Sequence, residues 1–167
     1  LGDWVSGEKY NYFDNDNKSY TAQEKKEYGK RLYQQKQQDI QNIQDKQVQA
    51  VDLKSYYLSL PNANNNHPYL VSKSINNHEA IKQDGNKLVI PCIGSIEPFM
   101  GILQTLQYIY SNGFKTFHKD ANANGSYLCL NKSTNDTFIF VEGFATGVSV
   151  LQAVQRFNAD ISIVICF

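Results

Sequence analysis

The stretch that decides the fold is Phe138-Ile-Phe-Val-Glu-Gly-Phe-Ala-Thr-Gly-Val-Ser-Val-Leu-Gln-Ala-Val-Gln-Arg-Phe157. Its first four residues are apolar, Glu142 and Gly143 end that run, and a helix-compatible segment leads to a second apolar run at 161–167. This order predicts a strand, a helix and a second strand. We expect the two strands to be parallel, as in a βαβ unit.

Glu142 is the candidate catalytic residue of this unit. In open α/β sheets, ligands bind at the carboxyl ends of the strands, and Glu142 stands at the carboxyl end of the first strand. The alternative is a solvated carboxylate that closes a strand and has no chemical role. The residues by themselves leave both interpretations open.

The N-terminal part predicts a long helix. Residues 1–20 are rich in aromatic residues, Asn, Asp and Gly, and predict short strands or an irregular arm. Thr21 and Glu24 have the spacing of a capping box, and the sequence from there to about Leu58 contains almost no helix breaker. Its apolar stripe is thin, so we expect one or two long helices that are mostly solvated.

The middle of the chain predicts an antiparallel meander. Alternating apolar residues are typical of strands, and Asn-Gly or Asp-Gly pairs mark the turns between them. The predicted strands are 87–93, 101–109, 115–118 and 126–130, and the turns are Asp84-Gly85, Asn112-Gly113 and Asn124-Gly125. Together with the helical segment and the βαβ unit, this pattern predicts an α+β fold.

We expect three segments along the chain. Residues 1–60 form the arm and long helix, 61–135 a small β-rich subdomain that begins at a breaker-rich linker, and 136–167 the first part of a further domain. The chain starts at Leu1 rather than Met and stops on an apolar strand. These two ends predict a piece of a larger protein.

The composition limits the classes of function. The 16 basic and 16 acidic residues give a net charge of zero, which excludes a strongly basic nucleic-acid footprint but leaves room for a local basic groove. No apolar run has the length of a membrane span and no signal peptide is evident, so we expect a cytoplasmic protein without a membrane partner. The three cysteines lack zinc-ligand spacing, which predicts buried reduced thiols and no zinc.

The order and spacing of several motifs resemble the primase region of phage and plasmid replication proteins, which carry a Toprim domain. The resemblance covers roughly residues 67–167, and no single motif in it is specific. The matching motifs are His67-Pro-Tyr-Leu with Lys73, Leu88-Val-Ile-Pro91, Leu103-Gln-Thr-Leu-Gln107, Asn112-Gly-Phe-Lys115, Gly125 and Val141-Glu-Gly-Phe-Ala-Thr146.

This resemblance implies a DNA primase, a nucleotidyltransferase that makes RNA primers on single-stranded DNA during replication. Glu142 matches the Toprim glutamate, which acts as acid or base or positions Mg²⁺ or Mn²⁺. The Asp-x-Asp pair of the family has no counterpart up to Phe167, so we expect this piece alone to be inactive. The implied partners are the DNA template, ribonucleoside triphosphates and a replicative helicase, fused or separate.

Five further residues are candidates for binding the nucleic acid or the nucleotide. Gly143 leaves space beside the acid, and Thr146 lies where a helix start could approach a phosphate. Lys115, Lys119 and Lys73 lie near aromatic residues, a combination that suits single strands. The alternative for the lysines is an exposed edge strand protected from aggregation by its charges.

Two other functions stay open at this point. One is a non-catalytic module that binds single-stranded nucleic acid in a replication or conjugation protein. The other is a different Toprim activity, such as a nuclease or a topoisomerase.

Overall fold

The computed structural model describes residues 21–119 and 121–167. The arm predicted for 1–20 lies outside the described residues. The chain divides after Gln41 into two units, and residues 42–167 form the second. The three segments proposed from the sequence, 1–60, 61–135 and 136–167, stay a prediction.

Helix α1 spans Ala22–Ser59 and begins with the predicted capping box. The Thr21 backbone amide donates to Glu24 Oε2 at 2.7 Å, and the Glu24 amide donates back to Thr21 Oγ1 at 3.3 Å. Residues 21–48 are all exposed, and only Ala50 and Leu53 of this helix are buried. The prediction of a long, mostly solvated helix is therefore confirmed.

Within residues 60–119 and 121–167, two further helices and seven strands follow α1. Helix α2 is Pro68–Lys73, the strands are β1 Lys82–Asp84, β2 Lys87–Gly94, β3 Leu103–Tyr110, β4 Lys115–Phe117, β5 Ser126–Asn131, β6 Phe138–Val141 and β7 Ser162–Cys166, and helix α3 is Phe144–Arg156. The predicted α+β class is confirmed. Helix α2 and strand β1 were not among the predicted elements.

The antiparallel meander is shorter than predicted. Strands β1 to β4 pair in chain order, but β5 does not pair with β4. It pairs instead with the last two residues of β2, Ile93 and Gly94, and then with β7. One edge of β2 therefore has two partners, because β1 pairs with its first half and β5 with its last two residues.

The parallel βαβ unit predicted from residues 138–167 is present. Strand β6 pairs in parallel with β7, and α3 connects them. The side chains of Phe144, Val148 and Leu151 from α3 are buried against Ile163 and Ile165 of β7. This packing sets the start of α3 at the carboxyl end of β6.

Helices cover both faces of the sheet. On one face, α2 and α3 share a core with Leu88 and Ile90 of β2 and Ile109 of β3. On the other face, Leu53 of α1 packs with Val89, Leu106 and Tyr108. The face under α2 and α3 also holds the candidate functional residues, as described below.

The sheet is coiled, so that its two ends approach each other. In the strand order β4-β3-β2-β5-β7-β6, the strands β4 and β7 are separated by three others. Even so, the rings of Phe117 in β4 and Phe167 after β7 meet edge to face with centroids 6.1 Å apart. Strand β5 pairs with β2 only at the end of β2. This pairing and the ordinary twist of sheets allow the two ends of the sheet to approach each other.

Only one of the three cysteines is fully buried, so the prediction of buried thiols is wrong for the other two. Cys92 on β2 is inaccessible, Cys129 is half-buried and Cys166 is exposed. Cys166 lies on the face of β7 that turns away from α3, because its neighbours Ile165 and Phe167 point to the other side. In the part of the chain that the structure describes, no helix is long and apolar enough to cross a membrane.

Candidate functional site

Glu142 follows the last residue of β6, at the place predicted from the sequence. Its side chain is exposed, and within residues 21–119 and 121–167 it forms no hydrogen bond or ion pair. The carboxylate is therefore available to bind a cation or to accept a proton. No contact in the described part of the chain uses its charge.

Gly143 is the N-cap of α3 and offers no side chain to the free amides of the first turn. The backbone amides of Phe144, Ala145 and Thr146 have no acceptor among the described residues. Thr146 itself is exposed in this turn. The amides and the helix dipole give the start of α3 a partial positive charge next to Glu142.

Lys115 extends from β4 to the same edge. Its Nζ atom lies 3.9 Å from the point that a Cβ atom on Gly143 would occupy. It also lies 6.0 Å from the centre of the Tyr69 ring, at the outer range of a cation–π contact. An ammonium group, the amides of a helix start and a free carboxylate thus share one edge of the sheet.

The register of β4 explains why Lys115 points to this edge. Lys115 pairs with Ile109 and Phe117 pairs with Gln107. Residues directly opposite each other in an antiparallel pair point to the same face, and Ile109 belongs to the core beneath α2 and α3. Lys115 and Phe117 therefore lie on the concave side of the coiled sheet, facing the end of β6.

Sequence reasoning missed two residues of this concave surface, Gln107 and Phe167. Gln107 is buried, and its side-chain amide has no hydrogen-bond partner in the described part of the chain. Phe167 packs its ring against Phe117. Gln107 stands two residues before Ile109 on β3, and the alternation of strands predicts that both side chains point to the same face of the sheet. The contact of Phe167 depends on the coil of the sheet, and no local pattern indicates it.

Two of the predicted lysines, Lys119 and Lys73, make no contact with this edge in the described structure. Lys119 is exposed just after β4, beyond His118, whose Nδ1 atom is 2.9 Å from the Tyr108 hydroxyl oxygen. Lys73 is exposed at the end of α2. Of the residues that the structure describes, only Lys115 places a cation beside Gly143. A role for Lys119 and Lys73 in binding nucleic acid stays a prediction.

The chemistry of Glu142 fits a hard divalent cation. Oxygen atoms of carboxylates are the ligands that Mg²⁺ prefers, and those of Glu142 are exposed and unpaired in the described structure. No group of three His, Cys, Asp or Glu residues that could hold a metal occurs within residues 21–119 and 121–167. Glu142 is the candidate ligand on this edge, and Mg²⁺ sites commonly use one or two carboxylates with water and phosphate oxygens.

Comparison with known proteins adds no assignment for this chain. No family model, curated protein or solved structure matches it.

Proposed function

We propose that this chain belongs to a DNA primase of the phage or plasmid replication type, with a Toprim-like unit that begins at β6. Such an enzyme joins ribonucleotides on a single-stranded DNA template. The observation that carries the proposal is the Lys115 ammonium beside Gly143, next to the free carboxylate of Glu142. The order of the sequence motifs supports it independently.

The chemistry assigns different tasks to these groups. A ribose 3′-hydroxyl attacks an α-phosphate, pyrophosphate leaves, and the hydroxyl must lose its proton. Glu142 accepts that proton or holds a Mg²⁺ or Mn²⁺ ion, whose charge would stabilise the phosphoryl oxygens. Lys115 and the amides at the start of α3 pair with phosphate oxygens of the nucleotide or template.

The proposal also names the partners of the enzyme and its place in the cell. Its partners are single-stranded DNA, ribonucleoside triphosphates and a replicative helicase, and its place is the cytoplasm. Phe117 lies on the same face of the sheet as Lys115, and its half-buried ring can stack with a base of an unpaired strand.

The test is incorporation of labelled ribonucleotides on single-stranded DNA with Mg²⁺ by the full protein. We expect short RNA products, reduced by about 10²-fold or more in Glu142→Gln because the acid–base or ion-binding group is lost. The matched control is Glu97→Gln, the same change at an exposed glutamate in the loop between β2 and β3. Equal synthesis by Glu142→Gln and wild type, or no synthesis by a folded wild type, would contradict the proposal.

A second candidate is a non-catalytic module that binds single-stranded nucleic acid. It is favoured by the set of groups on the concave surface, where the Lys115 ammonium and the half-buried rings of Phe117 and Phe167 can hold a strand without any metal. Binding of a labelled oligonucleotide without Mg²⁺, unchanged in Glu142→Gln and accompanied by no synthesis, would favour this function over priming.

A further inference from the structure

Gln107 belongs to the floor of the concave surface that carries Lys115. It lies two residues before Ile109 on β3, so both side chains point to the face that α2 and α3 cover. Directly opposite Gln107 stand Ile90 on β2 and Phe117 on β4. Opposite residues of antiparallel strands have Cβ atoms about 4.5–5.5 Å apart, and diagonal neighbours such as Gln107 and Lys115 lie about 7–8 Å apart. Gln107 therefore borders both an aromatic ring and the lysine of the candidate site.

The carboxamide of Gln107 has no partner in the described structure, yet it remains accessible. The residue is 9% exposed, and its side chain forms no hydrogen bond within residues 21–119 and 121–167. The unpaired side-chain atoms that are fully enclosed in this part of the chain are Asn77 Oδ1, Gln104 Oε1 and Thr105 Oγ1. Neither polar atom of the Gln107 amide is among them, so the small exposed fraction of Gln107 includes its amide. Thr105, on the same face, is closed to a ligand.

This amide does not serve the stability of the fold. Beside Ile90 and Phe117 it loses most of its hydration, and a polar group in that position costs free energy until it gains a partner. Gln107→Leu would fill a similar space on this apolar floor without that cost. The unpaired donor and acceptor therefore call for an explanation outside the fold, and a bound ligand supplies one.

We propose that Gln107 binds the ribose hydroxyls of the ribonucleotide whose phosphate pairs with Lys115, and that it thereby selects ribonucleotides over deoxyribonucleotides. This inference rests on the proposed function and specifies the substrate of the same site. The 2′- and 3′-hydroxyls each donate and accept, and a carboxamide offers two N–H donors and an acceptor oxygen. A 2′-deoxyribose lacks one hydroxyl and leaves part of the amide unpaired, which is how a buried polar site rejects an analogue.

The neighbours of Gln107 favour the sugar over the other parts of a nucleotide. The ribose joins the phosphate to the base, and Gln107 borders the side chains that suit those two ends. Lys115, one diagonal step away, pairs with a phosphate, and Phe117 stacks with a base. A phosphate is the poorer ligand for Gln107 itself, because its oxygens only accept and would leave the carboxamide oxygen without a donor.

The test is equilibrium dialysis of the full chain against labelled ATP and labelled dATP with Mg²⁺. We expect the wild type to bind ATP at least about tenfold more tightly than dATP. Gln107→Leu should abolish that difference through weaker binding of ATP, and the same loss should appear for GTP, CTP and UTP against their deoxy forms. Lys115→Ala should weaken ATP and dATP equally, because it acts on the phosphate. Gln155→Leu, at an exposed glutamine of α3, is the control and should change neither affinity.

Four results would overturn the role of Gln107. They are equal affinity of the wild type for ATP and dATP, an unchanged preference in Gln107→Leu, a loss confined to one base, and no saturable binding up to roughly millimolar nucleotide. Gln107→Leu should unfold at no lower temperature than the wild type, and clear destabilisation would instead assign Gln107 a structural role. Primer synthesis separates the two proposals. A ribose preference without synthesis contradicts only the primase, and synthesis without a ribose preference contradicts only the role of Gln107.

Discussion

Lys115 and Glu142 carry opposite charges at one edge of the sheet, and no ion pair joins them in the described structure. An ion pair would have satisfied both groups within the protein. Left apart, the ammonium is available to a phosphate and the carboxylate to a proton or a cation. At the scale of single residues, this separation is the property that distinguishes the edge from an ordinary salt-bridged surface.

Lys115→Ala is expected to weaken the binding of labelled oligo(dT). Loss of one phosphate contact should lower the affinity by about 3–10-fold at low salt, and the slope of log K against log salt should fall by about 0.7. Fluorescence anisotropy over a salt series measures both quantities. Lys132→Ala, an equally exposed lysine just after β5, is the control and should change neither. An unchanged salt slope in Lys115→Ala would rule out a phosphate contact of this residue.

At the scale of elements, the packing of α3 on the sheet depends on one small residue. A Cβ atom on Gly147 would lie 2.8 Å from Ile165 Cγ1 and 3.2 Å from Leu130 Cδ1, closer than packed carbon atoms approach each other. Glycine at this position therefore lets the helix approach β5 and β7. The same approach brings the start of α3 to the end of β6.

Gly147→Ala should thus destabilise the fold. Overpacking costs about 1–3 kcal/mol, and the better helix propensity of alanine returns about 1 kcal/mol, so we expect a net loss of about 1 kcal/mol in urea unfolding. Gly29→Ala in α1 is the matched change, because in the described structure no atom beyond the neighbouring backbone of the helix lies within 4 Å of its added Cβ. It should raise the helical signal in circular dichroism without a loss of stability. Equal stability of wild type and Gly147→Ala would show that Ile165 yields without cost.

The contact between α1 and the first hairpin should depend on pH. Tyr56 donates its hydroxyl hydrogen to Asp84 Oδ2 at 2.6 Å, and this bond, followed by that of Lys87, lowers the pKa of Asp84 below its usual 3.8. A carboxyl whose pKa is lowered on folding stabilises the fold above its unfolded pKa. That contribution disappears as the pH falls through the folded value.

Tyr56→Phe should therefore cost more at neutral than at acidic pH. We expect a loss of about 0.5–1 kcal/mol at pH 7, small because Asp84 is partly exposed to solvent, and a narrowing difference between about pH 5 and pH 3. Tyr57→Phe serves as the control, since Tyr57 donates to the neutral Ala80 carbonyl at 2.7 Å. Its cost in urea unfolding should not vary over this range. A constant cost for Tyr56→Phe would exclude the charged bond as its source.

The elements differ in how far the sequence indicates them. The capping box of α1, the apolar runs of β6 and β7 and the Asn-Gly and Asp-Gly turns are local signals, and the structure has each of them where predicted. Strand β1 is only Lys82-Gln-Asp84, three polar residues that form a strand because β2 pairs with them. Helix α2 has a usable signal in Pro68 at its first turn, but six residues are too few for a helical period.

The candidate site was only partly predictable from the sequence, because part of it depends on pairings between distant residues. Glu142 and Gly143 follow from a strand end that is visible in the sequence. The position of Lys115 beside them follows from the register of β4 and the coil of the sheet, which depend on pairings between distant residues. Nothing local separates Lys115 from Lys119 or Lys73, and only the fold shows which lysine reaches Gly143.

At the scale of the whole molecule, Cys92 reports on global unfolding. Its thiol is inaccessible in β2, and burial raises its pKa to about 12, so neither access nor ionisation favours reaction in the folded state. We expect Ellman's reagent to modify the exposed Cys166 rapidly and Cys92 only as fast as the molecule unfolds. Cys92→Ala should remove that slow phase alone. Rapid modification of all three thiols in native buffer would contradict this packing.

The sharing of β2 between β1 and β5 bears on the order in which the chain folds. The pairs β1–β2, β2–β3 and β3–β4 join neighbours in sequence, whereas the β5–β7 pairs join distant segments and require closure of a longer loop. We expect the hairpins that carry Lys115 to form first and the strands that carry Glu142 to dock onto them later. A ligand that contacts both Lys115 and Glu142 would then hold the late-forming strands in place and slow their detachment from the hairpins.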